Sequence, residues 1–195
     1  MKSKKFLITV AVLCLLLSGC GREADFTTSV TIGKNGDVTN VIYESFEGDN
    51  YDLTELTDMA TSEISSYNAE CLSDKVSMES AELIEDGSIA KMVLKFVSYT
   101  DYESFNKTAL FYGTVQDAVD RGYSVSADVV NADGEALGED SLTDYLDKHV
   151  VITKDKSNFV VPFNISYATK GVTFVKKEAD LSSAASDEVI LLLSK

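Results

Sequence analysis

Val30 and Ile32 alternate with polar residues, Asn35-Gly36 follows, and alternation resumes from Val38 to Phe46. Two half-buried strands around a dipeptide that favours a tight type I′ turn predict a first hairpin. The period then changes. Leu53, Leu56, Ala60, Ile64 and Tyr67 recur at helical spacing, and Asp52 stands three residues before Glu55 as a capping pair would, so residues 53–68 are expected to form an amphipathic helix. Val76 to Ile84 and Ile89 to Tyr99 read as a second hairpin that turns at Asp86-Gly87. In its second strand Ala90, Met92, Leu94 and Phe96 make an apolar face, expected to receive the helix, while Lys91, Val93, Lys95 and Val97 make a mixed one.

Further along, the pattern is more broken. Thr108 to Tyr112 reads as a strand, Thr114 and Asp117 as the cap of a two-turn helix ending at Gly122, and Tyr123 to Val130 alternates again. Asn131 to Asp140 is turn-rich and acidic, the signature of an exposed loop. Ser141 and Asp144 repeat the capping spacing before Leu142, Tyr145 and Leu146, which predicts a short helix. Residues 150–153, 159–161, 165–167, 172–175 and 189–193 are strand candidates. Val189-Ile-Leu-Leu-Leu193 has no polar alternation at all, which fits a central strand covered on both faces. The expected class is α+β: an antiparallel sheet of two early hairpins plus later strands, with helices mainly on one face.

The amino-terminal segment follows different rules. Lys2, Lys4 and Lys5 precede an uncharged run from Phe6 to Leu17, twelve residues long, which suits the core of a secretory leader and falls short of the roughly 18 that span a membrane. Leu17-Ser18-Gly19-Cys20 closes it. This ending resembles the lipobox of bacterial lipoproteins. The resemblance implies that residues 1–19 are a removed signal peptide and that Cys20 carries the acyl chains, including palmitate-type ones. Residues 20–25 would then be the lipidated cysteine and a tether, and residues 26–195 a single α+β domain. The implied location is extracytoplasmic, anchored in the cell membrane through Cys20. Gly21 follows where a retention signal would place Asp, so in a Gram-negative host the outer membrane is expected. Gly21 to Asp25 spans at most about 18 Å, which holds the domain close to its bilayer.

Charge narrows the partners. The chain carries 17 basic and 32 acidic residues, a formal charge of -15, and loss of the three leader lysines makes it more negative still. Nucleic acid is therefore excluded as a partner, since its recognition needs a basic footprint. An anionic lipid surface repels such a body within about 8–10 Å. Of three cysteines, Cys14 lies in the leader and Cys20 in the lipobox, so Cys71 remains alone and no internal disulfide is expected. Cys71 continues the apolar face of the first helix, which predicts a buried, inert thiol.

Catalytic signatures fail on their own terms. His149 is the sole histidine, which excludes zinc-protease and multi-histidine metal sites and leaves it a packing role at a helix-to-strand junction. Ser88 and Lys91 match a Ser-x-x-Lys spelling but should sit on a strand, pointing to opposite faces. Ser104 and Lys107 share the spelling without the accompanying motifs. Asn131-Ala-Asp133-Gly134 resembles part of an EF-hand loop, yet Val129 and Asp140 fall where an oxygen ligand and a bidentate glutamate belong. A plain turn is expected there, with a non-standard calcium site on Asp133, Glu135, Glu139 and Asp140 as the other reading. The eleven glycines form no phosphate-cradling loop. No cofactor or metal is expected.

The densest feature is aromatic. Phe96, Tyr99, Tyr102, Phe105, Phe111, Tyr112 and Tyr123 fall within twenty-eight positions. Phe96 and Phe111 are assigned to the core. Tyr99, Tyr102, Phe105, Tyr112 and Tyr123 are candidates for the rim of a ligand or partner surface, and ordinary packing is the alternative. The stretches Glu47 to Leu53 and Phe111 to Tyr123 also resemble segments of small uncharacterised lipoproteins of Gram-positive bacteria, which implies membership without a mechanism. Two function classes follow: a non-catalytic binding or accessory module for an envelope protein or cell-wall ligand, or a carboxylate-based hydrolase of a wall glycan or peptide. Two carboxylates about 5–9.5 Å apart across a pocket would mark the hydrolase, and tyrosines without such a pair the binding module.

Overall fold

The alternating residues of β1 (Ser29–Ile32) and β2 (Val38–Ser45) pair antiparallel, with Val30, Ile32 and Val38 buried. The computed structural model describes residues 26–46, 52–125 and 129–195, so the leader, Cys20 and the tether lie outside the described residues. The first hairpin does not use a type I′ turn. Gly36 N donates to Gly33 O at 3.1 Å, Gly33 N donates to Asp37 O at 2.8 Å, and only Gly36 of the loop has a positive φ, 84°. This is a three-residue loop, a type I turn closed by a left-handed glycine, in which Asn35 keeps an ordinary φ.

Helix α1 (Leu53–Glu70) starts as expected, with the Asp52 carboxylate accepting from Thr54 N at 2.7 Å. Its Ile64 is buried, and Leu56, Ala60 and Tyr67 pack against the cluster that holds Met92, Leu94 and Phe96. Those three belong to β4 (Ile89–Phe96), the partner of β3 (Val76–Ile84) in the second hairpin. The helix ends before Cys71, which is exposed rather than buried, because it occupies the C-cap beyond the last packed turn. Strand β4 stops at Phe96, short of the expected Tyr99. Ser98 instead caps α2 (Tyr99–Asn106), its Oγ accepting from Asp101 N at 3.2 Å. Ser98 and Asp101 carry the capping spacing in the sequence, and the aromatic alternation around them hid it.

The later strands are β5 (Leu110–Thr114), β6 (Val129–Val130), β7 (His149–Thr153), β8 (Asn158–Val160), β9 (Ile165–Thr169), β10 (Thr173–Val175), β11 (Glu178–Asp180) and β12 (Val189–Leu193). The fold is α+β, and its strands form two sheets rather than one. The first has seven strands in the order β10-β11-β8-β1-β2-β4-β3, so the two early hairpins lie side by side within it. It is mixed, because β1 and β8 run parallel with Val30 opposite Phe159. The second has five antiparallel strands in the order β5-β7-β12-β9-β6. Strand β11 has no counterpart among the expected elements, since Glu178-Ala-Asp180 carries a single apolar residue.

Strand β12 explains its own uninterrupted apolar run. Val189, Leu191 and Leu193 join the core shared with the first sheet, while Ile190 and Leu192 join a second core on the opposite face. The second core is closed by α3 (Val115–Asp120), whose capping box pairs Thr114 with Asp117 as the spacing predicts. A 3₁₀ segment, Glu139–Tyr145, stands where a short α-helix was expected and has no side-chain cap, and Leu142, Tyr145 and Leu146 pack on the same core. Asn131 to Glu135 forms the plain turn. Its bonds repeat those of Gly33 to Asp37, and Asn131 Oδ1 also accepts from Asp133 N and Glu135 N. Leu137 is buried, so the segment after that turn is pinned to the domain.

Candidate functional site

The five aromatic candidates do not converge on one groove. Tyr102 and Tyr112 are packing residues, 2 % and 6 % exposed. Tyr102 comes from the inner face of α2, meets Phe96 edge-on at 5.1 Å, and donates its hydroxyl to Asp155 Oδ2 at 2.5 Å. Burial, with the neighbouring Asp155 charge second, pushes its phenol far above the ordinary range. Tyr112 stacks on His149 at 5.3 Å and donates to Lys34 O at 3.3 Å. Phe105 is half-buried between Phe96 and Tyr67. Tyr99 and Tyr123 flank Phe111 on the far side of the second sheet, where Arg121 lies over the same ring and donates to the Tyr99 hydroxyl. The register of β5 sends Phe111 and Tyr112 to opposite faces of the sheet, which divides the group.

Two other tyrosines do line a concavity. A cleft of 370 Å³ is bounded by Asp144, Tyr145, Lys148, Ser166, Tyr167 and Ser194. Four segments build it. The 3₁₀ segment supplies Asp144 and Tyr145, the turn into β7 supplies Lys148, β9 supplies Ser166 and Tyr167, and the residue that follows β12 is Ser194. The ladder between those strands matches Tyr167 with Leu192 and Ile165 with Leu193, which leaves Ser166 as an extra residue. That bulge has a geometric result. Consecutive strand residues ordinarily face opposite ways, whereas the bulge lets Ser166 and Tyr167 border the same cleft.

The two rings meet edge to face, their centroids 5.8 Å apart and their planes at 89°. Burial raises the Tyr145 phenol above its usual value, the Tyr167 hydrogen bond adds to this, and the Asp144 charge adds further. The Tyr145 phenol therefore stays neutral at physiological pH. Asp144 is exposed, and Lys148 Nζ pairs with Asp147 Oδ2 at 3.0 Å. The cleft thus offers two aromatic rings, two serine hydroxyls, one carboxylate and one ammonium group. The sequence shows no cluster here, because Tyr145 and Tyr167 are far apart in the chain and Ser194 comes from its end.

A second concavity, a groove of 480 Å³, runs over the first sheet and is bordered by Val41, Tyr43, Val160 and Val175 with Glu178 and Asp180. Glu178 and Asp180 are two positions apart on one strand, so their Cα atoms are about 6.6 Å apart by the rise of an extended chain. They lie side by side rather than across from one another, and Asp180 Oδ1 accepts from Ser182 N at 2.9 Å. Hydrolysis of a glycoside needs carboxyls flanking the bond. Among the described residues, no group of three or more His, Cys, Asp or Glu is placed to hold a metal ion, and no helix is long and apolar enough to cross a membrane. Comparison with protein-family models, with curated proteins and with solved structures finds no match to this chain.

Proposed function

We propose that the chain is a lipid-anchored extracytoplasmic lipoprotein that serves as a non-catalytic binding or accessory module, and that the Tyr145–Tyr167 cleft is where it captures an envelope protein or cell-wall ligand. The observation that carries this reading is the cleft itself: a concavity with two tyrosine rings and a single carboxylate, Asp144, on its border. Its size lies within the about 300–1,000 Å³ usual for small-ligand sites, and amphipathic rings beside convergent polar groups suit recognition. Acid–base hydrolysis would need a second, opposed carboxyl that the border does not supply. The anchor at Cys20 and the short tether would hold the cleft near the membrane, where wall polymers and envelope proteins are concentrated.

The test is cosedimentation of the full-length chain with purified, protein-free cell walls, together with site-specific crosslinking from position 194 in intact cells. Wall retention, or one specific crosslinked envelope protein, that disappears in a Tyr145→Ala/Tyr167→Ala double variant of unchanged melting temperature supports the reading. Release of soluble wall fragments that stops with Asp144→Asn would instead assign a hydrolase.

A further inference from the structure

From the polarity of the cleft we infer that its ligand is a saccharide, one or two uncharged pyranose rings seated against Tyr145 and Tyr167. This rests on the binding reading above and adds the chemical class of the ligand.

The border of the cleft excludes the other classes in turn. An anionic ligand would meet the exposed Asp144 carboxylate and a protein of formal charge -15. A cationic side chain would pair with Asp144 but, as a donor only, would offer the Lys148 ammonium and the hydroxyl protons of the border no acceptor. A wholly apolar ligand would strip water from Ser166, Ser194 and two phenols without replacing the lost hydrogen bonds. A sugar ring satisfies all of these surfaces together. Its hydroxyls both donate and accept, so they can donate to the carboxylate and accept from the ammonium, while the serine and tyrosine hydroxyls serve either role. Its axial C–H face is apolar and lies flat on an aromatic ring. Tyr145 and Tyr167, perpendicular to each other, both border this cleft.

Pre-organisation supports this assignment. The two rings pack edge to face, and Ser166 and Tyr167 are fixed by the bulge against β12. Lys148 N donates to Tyr145 O at 2.9 Å, which ties the two sides of the 3₁₀ turn. Little side-chain entropy is left to lose when a ligand enters.

The experiment is calorimetric titration of the full-length chain in detergent micelles with chitotetraose, cellotetraose and maltotetraose, read beside wall cosedimentation. At least one oligosaccharide is expected to bind saturably in the millimolar range or tighter. Tyr145→Ala and Tyr167→Ala should each weaken it by about tenfold or more, as truncation of an aromatic anchor does. Tyr145→Phe should retain most of it, and Tyr99→Ala, on the far aromatic cluster, should leave it unchanged. Melting temperatures identify any variant that fails to fold, and Ser194→Ala then serves as a milder probe of the same border. Absence of saturable binding to all three sugars, with wall retention or a protein crosslink still intact, overturns the saccharide assignment and leaves the binding module standing. Absence of both overturns the two together. Sugar binding indifferent to Tyr145 and Tyr167 overturns the site.

Discussion

Asn68, in the last turns of α1, grips Val76 at the start of β3 through both ends of its backbone: Nδ2 donates to Val76 O at 2.8 Å and Oδ1 accepts from Val76 N at 2.9 Å. Oδ1 also accepts from Lys75 N at 2.8 Å. Strand β3 is an edge of the seven-stranded sheet, so this side-chain amide stands where the next strand would be. It ties the helix end to the sheet and blunts the exposed edge.

Replacing Asn68 by Ala leaves Val76 N and O without these partners and should cost about 1–3 kcal/mol in urea unfolding. Asn68→Asp keeps the acceptor but turns an oxygen toward Val76 O, so it should recover only part of the loss. Equal stability of the Ala variant and the parent would show that water replaces the amide at no cost.

Gly171 and Gly87 share a left-handed backbone, with φ of 89° and 93°, and differ in surroundings. A Cβ at Gly171 would lie 2.2 Å from Ser183 O, whereas one at Gly87 would meet nothing within 4 Å. Gly87→Ala should cost about 1–2 kcal/mol from conformation alone. Gly171→Ala should cost about 1–3 kcal/mol more, because the clash is with backbone. Matching thermal melts of the two variants would refute the close approach.

The Tyr102 phenol is held above its ordinary value of 10.0 by burial first and by Asp155 second. Below pH 10 it is protonated in both the folded and unfolded states, and its full stabilisation is present. Above pH 10 the unfolded chain loses that proton while the folded chain keeps it, so stability falls with rising pH. Tyr102→Phe should flatten this alkaline slope by up to about 1.4 kcal/mol per pH unit. Tyr67, pushed up to about 12 chiefly by burial, acts in the same direction between pH 10 and 12 and persists in the variant. An unchanged alkaline slope would remove Tyr102 from the account.

Lipidation at Cys20 predicts a mature amino-terminal peptide that begins with a diacylglyceryl-modified cysteine, measured by mass spectrometry of the native protein. Cys20→Ser should leave the leader uncut and abolish acyl labelling. Several acyl chains, at about 0.8 kcal/mol per buried methylene, would hold the natural chain on the membrane through high-salt washing. An unmodified peptide starting upstream of Cys20 would defeat the assignment.

Most element types were legible because helix and strand periods are local properties of consecutive residues. Leu53 to Tyr67, the Thr114–Asp117 cap and the strands of the two hairpins follow that rule. Val189 to Leu193 announced a doubly covered strand, since every position was apolar and the structure gives both faces a core. The left-handed Gly36 was legible as a turn glycine, but not which turn it closes, because that depends on whether Asn35 also crosses to positive φ. Helix α2 was missed although Ser98 and Asp101 spell its cap, because aromatic alternation carried the strand reading past Phe96.

By itself the sequence determined the α+β class, the acidic surface and the order of most elements, since composition and short-range periodicity need no partner. Only the tertiary structure decided that the strands divide into two sheets, that β1 and β8 run parallel, and that Cys71 is exposed. It alone brought Tyr145, Tyr167 and Ser194 to one cleft while burying Tyr102 and Tyr112. Pairing and convergence are set by contacts between residues far apart in the chain, where a one-residue bulge such as Ser166 redirects a side chain without any change in local pattern.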